Sequence, residues 1–117
     1  MAKHLEIAGP AAAPAEGDKP VLAVVLPVFK HSVLLTEAIR SALAQRTAGG
    51  VRLVVVNDGC PYPETHETAL RFARAYPDQV VYLRRRNGGL SAARNTGIDF
   101  VLKAWPSVRA IYFLDAD

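Results

Sequence analysis

A chain of 117 residues, half of them hydrophobic and 21% charged, suits one soluble globular domain and excludes disorder throughout. A formal charge of +3 is too small to argue for a nucleic-acid partner. The single cysteine, Cys60, rules out an internal disulfide and a cysteine-rich zinc site, and no stretch approaches the roughly 18 consecutive apolar residues that span a bilayer.

Residues 1–20, rich in Ala, Pro and Gly, read as a flexible tail, and Gly9, Pro10 and Pro14 interrupt the apolar run that an export signal needs. The domain is then expected over residues 21–117. Val21 to Leu26 is continuously apolar and β-branched, as in a strand covered on both faces, with Pro27 marking its end. Ser32 is placed to cap a helix in which Leu35, Ala38, Ile39, Ala42 and Leu43 form one apolar stripe, and Gly49-Gly50 closes that segment. Val51 to Val56 is a second buried strand, followed by the turn chemistry of Asn57-Asp58-Gly59-Cys60-Pro61. A second helix starts near Pro63 or Glu64, packs through Ala69, Phe72, Ala73 and Tyr76, and stops at Pro77-Asp78. Val80 to Leu83 is a short third strand. Gly88-Gly89 opens a third helix that Ser91 is placed to cap and in which Gly97 allows close packing on the sheet. A fourth strand, Ala110 to Leu114, runs into Asp115-Ala116-Asp117.

Four strands alternating with three helices predict an α/β, doubly wound fold, a mainly parallel sheet with helices on both faces. Ligands of such folds bind beyond the carboxyl ends of the strands, which is where every polar cluster of this sequence falls. Asp115 and Asp117, one residue apart, project the same way if strand geometry persists, and two such carboxylates suit Mg²⁺ or Mn²⁺ shared with a diphosphate. The same pair also suits a helix cap beside a solvated side chain. Asp58 can accept hydrogen bonds from a nucleobase or ribose, or simply bond its own turn. Phe29 can stack on a base or join the core. In Asn87-Gly-Gly-Leu-Ser-Ala-Ala-Arg-Asn-Thr-Gly97, Gly88 and Gly89 let backbone approach a ligand at a helix N-terminus, with Arg94 and Asn95 in reach. A capped loop with Arg94 salt-bridged to Asp99 or another carboxylate is the competing reading. Arg84-Arg85-Arg86 reads as a solvated run, Cys60 as a passive small residue, and His4, His31 and His66 lack metal-ligand spacing.

In order along the chain, Val24-Val-Leu-Pro-Val-Phe29, Val55-Val-Asn-Asp-Gly59, Asn87 to Gly97 and Phe113-Leu-Asp-Ala-Asp117 resemble the nucleotide-binding half of the family 2 glycosyltransferases, which have the GT-A fold. The resemblance covers roughly residues 21–117. It implies a nucleotide-diphospho-sugar donor, commonly a UDP-sugar, a divalent cation held by the D-x-D motif, and transfer with inversion to an unidentified glycan, lipid or protein acceptor. By position it makes Pro27, Phe29, Asp58, Gly88, Gly89, Arg94, Asn95 and Asp115 donor-binding residues. Phe29 lies near the base, Asp58 recognises it, Asp115 contacts ribose and metal, and Asp117 is the principal metal ligand. Lys30, Asn57 and Cys60 depart from the family pattern, where an Asn, an acid and a Ser are usual. The family continues beyond the metal motif into the acceptor site and catalytic base. The chain is therefore expected to bind donor without transferring sugar alone, and to self-associate through an uncovered sheet.

A dehydrogenase-like dinucleotide domain shares the fold class, but Pro27 to Ser32 lacks G-x-G-x-x-G. Sugar nucleotidyltransferases carry a glycine-rich loop there too. The alternative from another class is a truncated, non-catalytic nucleotide-binding or interaction domain. Absence of an export signal and the cytosolic supply of nucleotide-sugars place the expected site of action in the cytoplasm.

Overall fold

The computed structural model describes residues 5–8, 19–30, 33–45 and 50–115. Five strands and three helices follow in the order β1 (Leu5–Ala8), β2 (Leu22–Val28), α1 (Leu35–Leu43), β3 (Val51–Asp58), α2 (Pro63–Ala75), β4 (Val80–Arg85), α3 (Leu90–Ala104) and β5 (Ala110–Phe113). They form one sheet in the order β1-β4-β3-β2-β5. All pairs among β2 to β5 are parallel, and β1 lies antiparallel on β4, from Leu5 opposite Arg85 to Ala8 opposite Tyr82.

The alternation of side chains along a strand explains why the apolar runs are continuous. Leu22, Val24, Leu26 and Val28 of β2, with Leu53 and Val55 of β3, pack under Leu35, Ile39 and Ala42 of α1 and Ala69 and Phe72 of α2. Ala23 and Val25, with Val54, Val56, Val81 and Leu83, face Ala93 and Val101 of α3 and Trp105. The doubly wound α/β architecture read from the sequence is the one observed, with α1 and α2 on one face and α3 on the other. Gly97 allows that second contact, because a β-carbon there would overlap Val25 Cγ1.

Three local expectations are corrected. The tail expected over residues 1–20 contains β1, so β4 is an interior strand rather than an edge. Pro27 does not end the first long strand but lies inside β2, opposite Val56. A strand residue points its amide and carbonyl to one side, alternating along the chain, and Val21 and Val25 direct theirs to β5 by accepting from Ala110 and Leu114. Pro27 therefore turns its missing donor toward β5, whose pairing has already stopped at Phe113. Ser91 does not cap α3: Gly89 occupies the N-cap with φ +96°, and no side chain within the cap residue bonds the helix. Ser32, the expected cap of α1, lies outside the described residues, as do His4, His31 and Asp117.

Candidate functional site

Because β2 to β5 run parallel, their carboxyl ends share one rim of the sheet. The chain steps from β2 outward to β3 and β4, then crosses back to place β5 on the other side of β2. The strand order therefore reverses between β2 and β5, the point at which open α/β folds form their ligand crevice. Phe29 follows β2 on one side of that crevice and Asp115 follows β5 on the other.

Phe29 is half-buried, and Lys30 Nζ lies 5.3 Å from its ring centroid. Lys30 has φ +65°, in the left-handed region, which bends the chain sharply away from β2. Its amide donates to Cys60 Sγ at 3.3 Å, joining the loop after β2 to the loop after β3. Cys60 Sγ also lies 3.2 Å from the hydroxyl of buried Thr65 at the start of α2.

Asp58, the last residue of β3, is 3% exposed. Its Oδ1 accepts from the Gly88 amide at 3.0 Å and forms an ion pair with Arg85, whose Nε lies 3.2 Å away. Its Oδ2 accepts from the Gly89 amide at 2.9 Å and from Asn87 Nδ2 at 3.0 Å. Three hydrogen-bond donors and one ion-pair partner therefore surround the two oxygens. The carboxylate thus provides from outside the helix the cap that Ser91 does not. Gly59, with φ +71°, turns the chain directly under Asn87, where no β-carbon fits.

Arg85 is the main departure from the solvated-run reading of Arg84 to Arg86. Its side chain is 23% exposed, and besides Asp58 it reaches the Ala92 carbonyl at 2.9 Å, the Thr96 hydroxyl and the Arg86 carbonyl. A single guanidinium with its forked donors therefore ties β4 to the first two turns of α3. Arg84 and Arg86 are exposed, as expected of a charged run.

Asn57 is buried beside this network. Its Nδ2 donates to the Tyr82 hydroxyl at 2.9 Å, and its Oδ1 accepts from the Cys60 amide at 2.9 Å. His66 Nδ1 lies 3.0 Å from the same hydroxyl. The Tyr82 hydroxyl can accept from Asn57 while it donates to or accepts from His66, according to the imidazole tautomer. No spacing in the sequence signals this triad, whose members lie on β3, β4 and α2.

On α3, Arg94 lays its guanidinium 5.3 Å from the Phe113 ring centroid and brings Nη2 within 3.8 Å of Asp115 Oδ1. The partner of Arg94 is thus Asp115 rather than Asp99. Asn95 is exposed one residue further along the helix. The Asp115 side chain is 60% exposed, a hard oxygen donor free to face solvent or a cation. Among the described residues no three His, Cys, Asp or Glu side chains converge on a metal position.

The model of glycosyl transferase family 2 matches residues 23–117. The chain belongs to that family. The chain is similar to the minor teichoic acid biosynthesis protein GgaB of Bacillus subtilis, 36% identical over 96 residues, which are 80% of this chain and 10% of the relative. An uncharacterized glycosyltransferase of Rickettsia prowazekii is 40% identical over 79 residues, covering 68% of this chain and 23% of its own length. The succinoglycan biosynthesis protein ExoW of Rhizobium meliloti is 37% identical over 81 residues, 68% of this chain and 25% of the relative. The chain thus spans a quarter or less of these family 2 relatives. Among solved structures, the mannosyltransferase PcManGT of Pyrobaculum calidifontis, in complex with GDP-mannose and Mn²⁺, shares the GT-A fold. It superposes with a TM-score of 0.64 at 18% identity, over 94% of this chain and 30% of the neighbour. Among the described residues no helix is long and apolar enough to cross a membrane.

Proposed function

We propose that this family 2 chain is the donor-binding half of a glycosyltransferase that takes a sugar from a nucleotide-diphospho-sugar, with a UDP-sugar as the first candidate. The observation that carries this reading is the reversal of strand order between β2 and β5, flanked by Phe29 just after β2 and by Asp115 after β5. Pro27 and Phe29 form the crevice wall on the base side, with Asp58 and the Gly88-Gly89 turn behind them. Arg94 and Asn95 border it from α3. Asp115 faces the ribose and the diphosphate, and Asp115 with Asp117 would hold a divalent cation, Mg²⁺ or Mn²⁺. When bound, such a cation neutralises charge on the departing diphosphate. The chain's own residues bind and orient: Phe29 offers an apolar face to the base, and Arg94 holds Asp115 beside the crevice. The GDP-mannose and Mn²⁺ in the structural neighbour support a nucleotide-sugar with a metal.

The acceptor is a glycan, lipid or protein, the transfer is inverting, and the base that takes the acceptor's proton comes from residues beyond Asp117. Sugar transfer then requires those residues, and the reaction takes place on the cytoplasmic side, where nucleotide-sugars are made. β5, an edge strand among the described residues with Tyr112 and Phe113 exposed, is the surface through which the isolated chain self-associates. Calorimetric titration with UDP and GDP, each with and without Mn²⁺, tests the reading. Metal-dependent binding of either nucleotide is expected, and no binding of either would overturn it in favour of a non-catalytic interaction domain.

A further inference from the structure

We propose that a second copy of this chain pairs antiparallel with β5 about a two-fold axis at Tyr112, so that Arg109 of each copy meets Asp115 of the other. This rests on the self-association through β5 read above, and adds to it the direction and register of the contact.

The backbone decides which residues take part. The amides of Ala110 and Leu114 donate to the carbonyls of Val21 and Val25, on the β2 side. Pointing alternates along a strand, so Ile111 and Phe113 turn their amides and carbonyls the other way, where no strand lies among the described residues. Charge then decides the direction. Arg109 stands just before β5 and Asp115 two residues after it, and both are exposed. Two parallel copies of β5 would set Arg109 beside Arg109 and Asp115 beside Asp115, whereas two antiparallel copies set opposite charges together at both ends. A single patch is thereby complementary to itself, as a two-fold contact requires.

Charge and hydrogen bonding together fix the register. Antiparallel strands exchange hydrogen bonds between residues whose amides face the partner, which leaves Ile111, Tyr112 or Phe113 as the residue on the axis. With Ile111 on the axis, Asp115 meets Ser107, and with Phe113 on the axis it meets Ile111. With Tyr112 there, Ile111 exchanges both of its bonds with Phe113 of the other copy and Asp115 meets Arg109. Tyr112 shares a strand face with Ala110 and Leu114, which pack on the core beneath α1 and α2. The two exposed Tyr112 rings therefore stand directly opposite each other on that face, a favourable aromatic pair. The contact of Asp115 with Arg94 is long, at 3.8 Å, and leaves its carboxylate room for a second guanidinium. The product is one continuous sheet with the two ligand rims at opposite ends.

The test is sedimentation equilibrium of the 117-residue chain without nucleotide or metal, so that its result does not depend on donor binding. Wild-type chain should form reversible dimers. Arg109→Glu sets carboxylate against carboxylate at both ends and Asp115→Arg sets guanidinium against guanidinium, so each variant alone should dimerise about tenfold more weakly or worse. Mixed, the two variants restore opposite charges at both ends and should pair with each other about as tightly as wild type does with itself. Both sites are exposed, so both variants keep the fold. The register is read separately in a Cys60→Ser background. Tyr112→Cys should close a disulfide between copies under mild oxidation, because directly opposed residues whose amides face away have Cα atoms about 4.5 Å apart. Phe113→Cys stands off the axis and should not. A wild-type chain that stays monomeric overturns both the self-association and this pairing. Dimers that ignore both charge reversals, with no preference for the mixed pair, overturn the pairing alone and move the contact to another surface such as the β1 edge. A disulfide through Phe113→Cys and none through Tyr112→Cys overturns the register, and the pairing of Arg109 with Asp115 with it.

Discussion

Gly59 sits so close beneath Asn87 that a β-carbon on the glycine would lie 2.5 Å from the asparagine's backbone nitrogen. The same glycine has φ +71°, so a side chain there meets both a clash and an unfavourable backbone. Gly59→Ala is expected to cost about 2–4 kcal/mol, the sum of a left-handed alanine and an overpacked contact. Urea denaturation followed by circular dichroism checks this through the midpoint. A loss below about 0.5 kcal/mol would show that the two loops are not held against each other.

The contact between Gly97 and Val25 gives a second expectation. Gly97→Ala should push α3 away from β2 and destabilise the fold by about 1–3 kcal/mol, although alanine is the better helix former. Removing the obstacle restores room, so Val25→Ala combined with Gly97→Ala should be more stable than the two separate losses add up to. A double-mutant cycle measures the coupling, and strict additivity would reject the proposed steric origin.

Tyr82→Phe removes the hydroxyl that lies between Asn57 and His66. Asn57 Nδ2 is then left buried without that acceptor, at a cost of about 1–3 kcal/mol. His66→Ala leaves the Asn57–Tyr82 bond in place and should cost less. The order of the two midpoints in urea is the check, and the reverse order would mean that the His66 contact is the dominant one.

Asp115→Ala concerns binding rather than folding. Its pair with Arg94 is long and exposed, so stability should change by less than about 1 kcal/mol. Metal-dependent nucleotide affinity should fall about tenfold or more, and chelation of the metal from wild-type chain should produce a comparable loss. Titration of both forms before and after chelation decides the matter. Equal affinity in all four samples would remove Asp115 and the cation from the donor site.

The strands β2, β3 and β4 and the helices α1 and α2 were legible because each buries a face of recognisable period, continuous in the strands and striped in the helices. Leu5–Ala8 was not, since four residues carry little pattern and the partner strand lies far along the chain. Its pairing is decided by the free edge of β4, which no local window contains. Candidate residues were legible as positions on a rim, yet not as partners. Arg85 reads like Arg84 and Arg86 until the fold brings Asp58, Ala92 and Thr96 around it. Asn57 likewise reads as one more turn residue until Tyr82 is seen beside it. Polar networks formed across strands leave no periodic trace, because their members are neighbours only after the sheet has assembled.

The rim loops are joined in series. Lys30 bonds Cys60, Asp58 bonds the turn at Gly88 and Gly89, Arg85 grips α3, and Arg94 of that helix reaches Asp115. Each tie limits the conformational entropy of the next loop before any ligand arrives. A molecule that settles into the crevice therefore meets walls already ordered by folding, and a larger share of its contact energy remains as affinity.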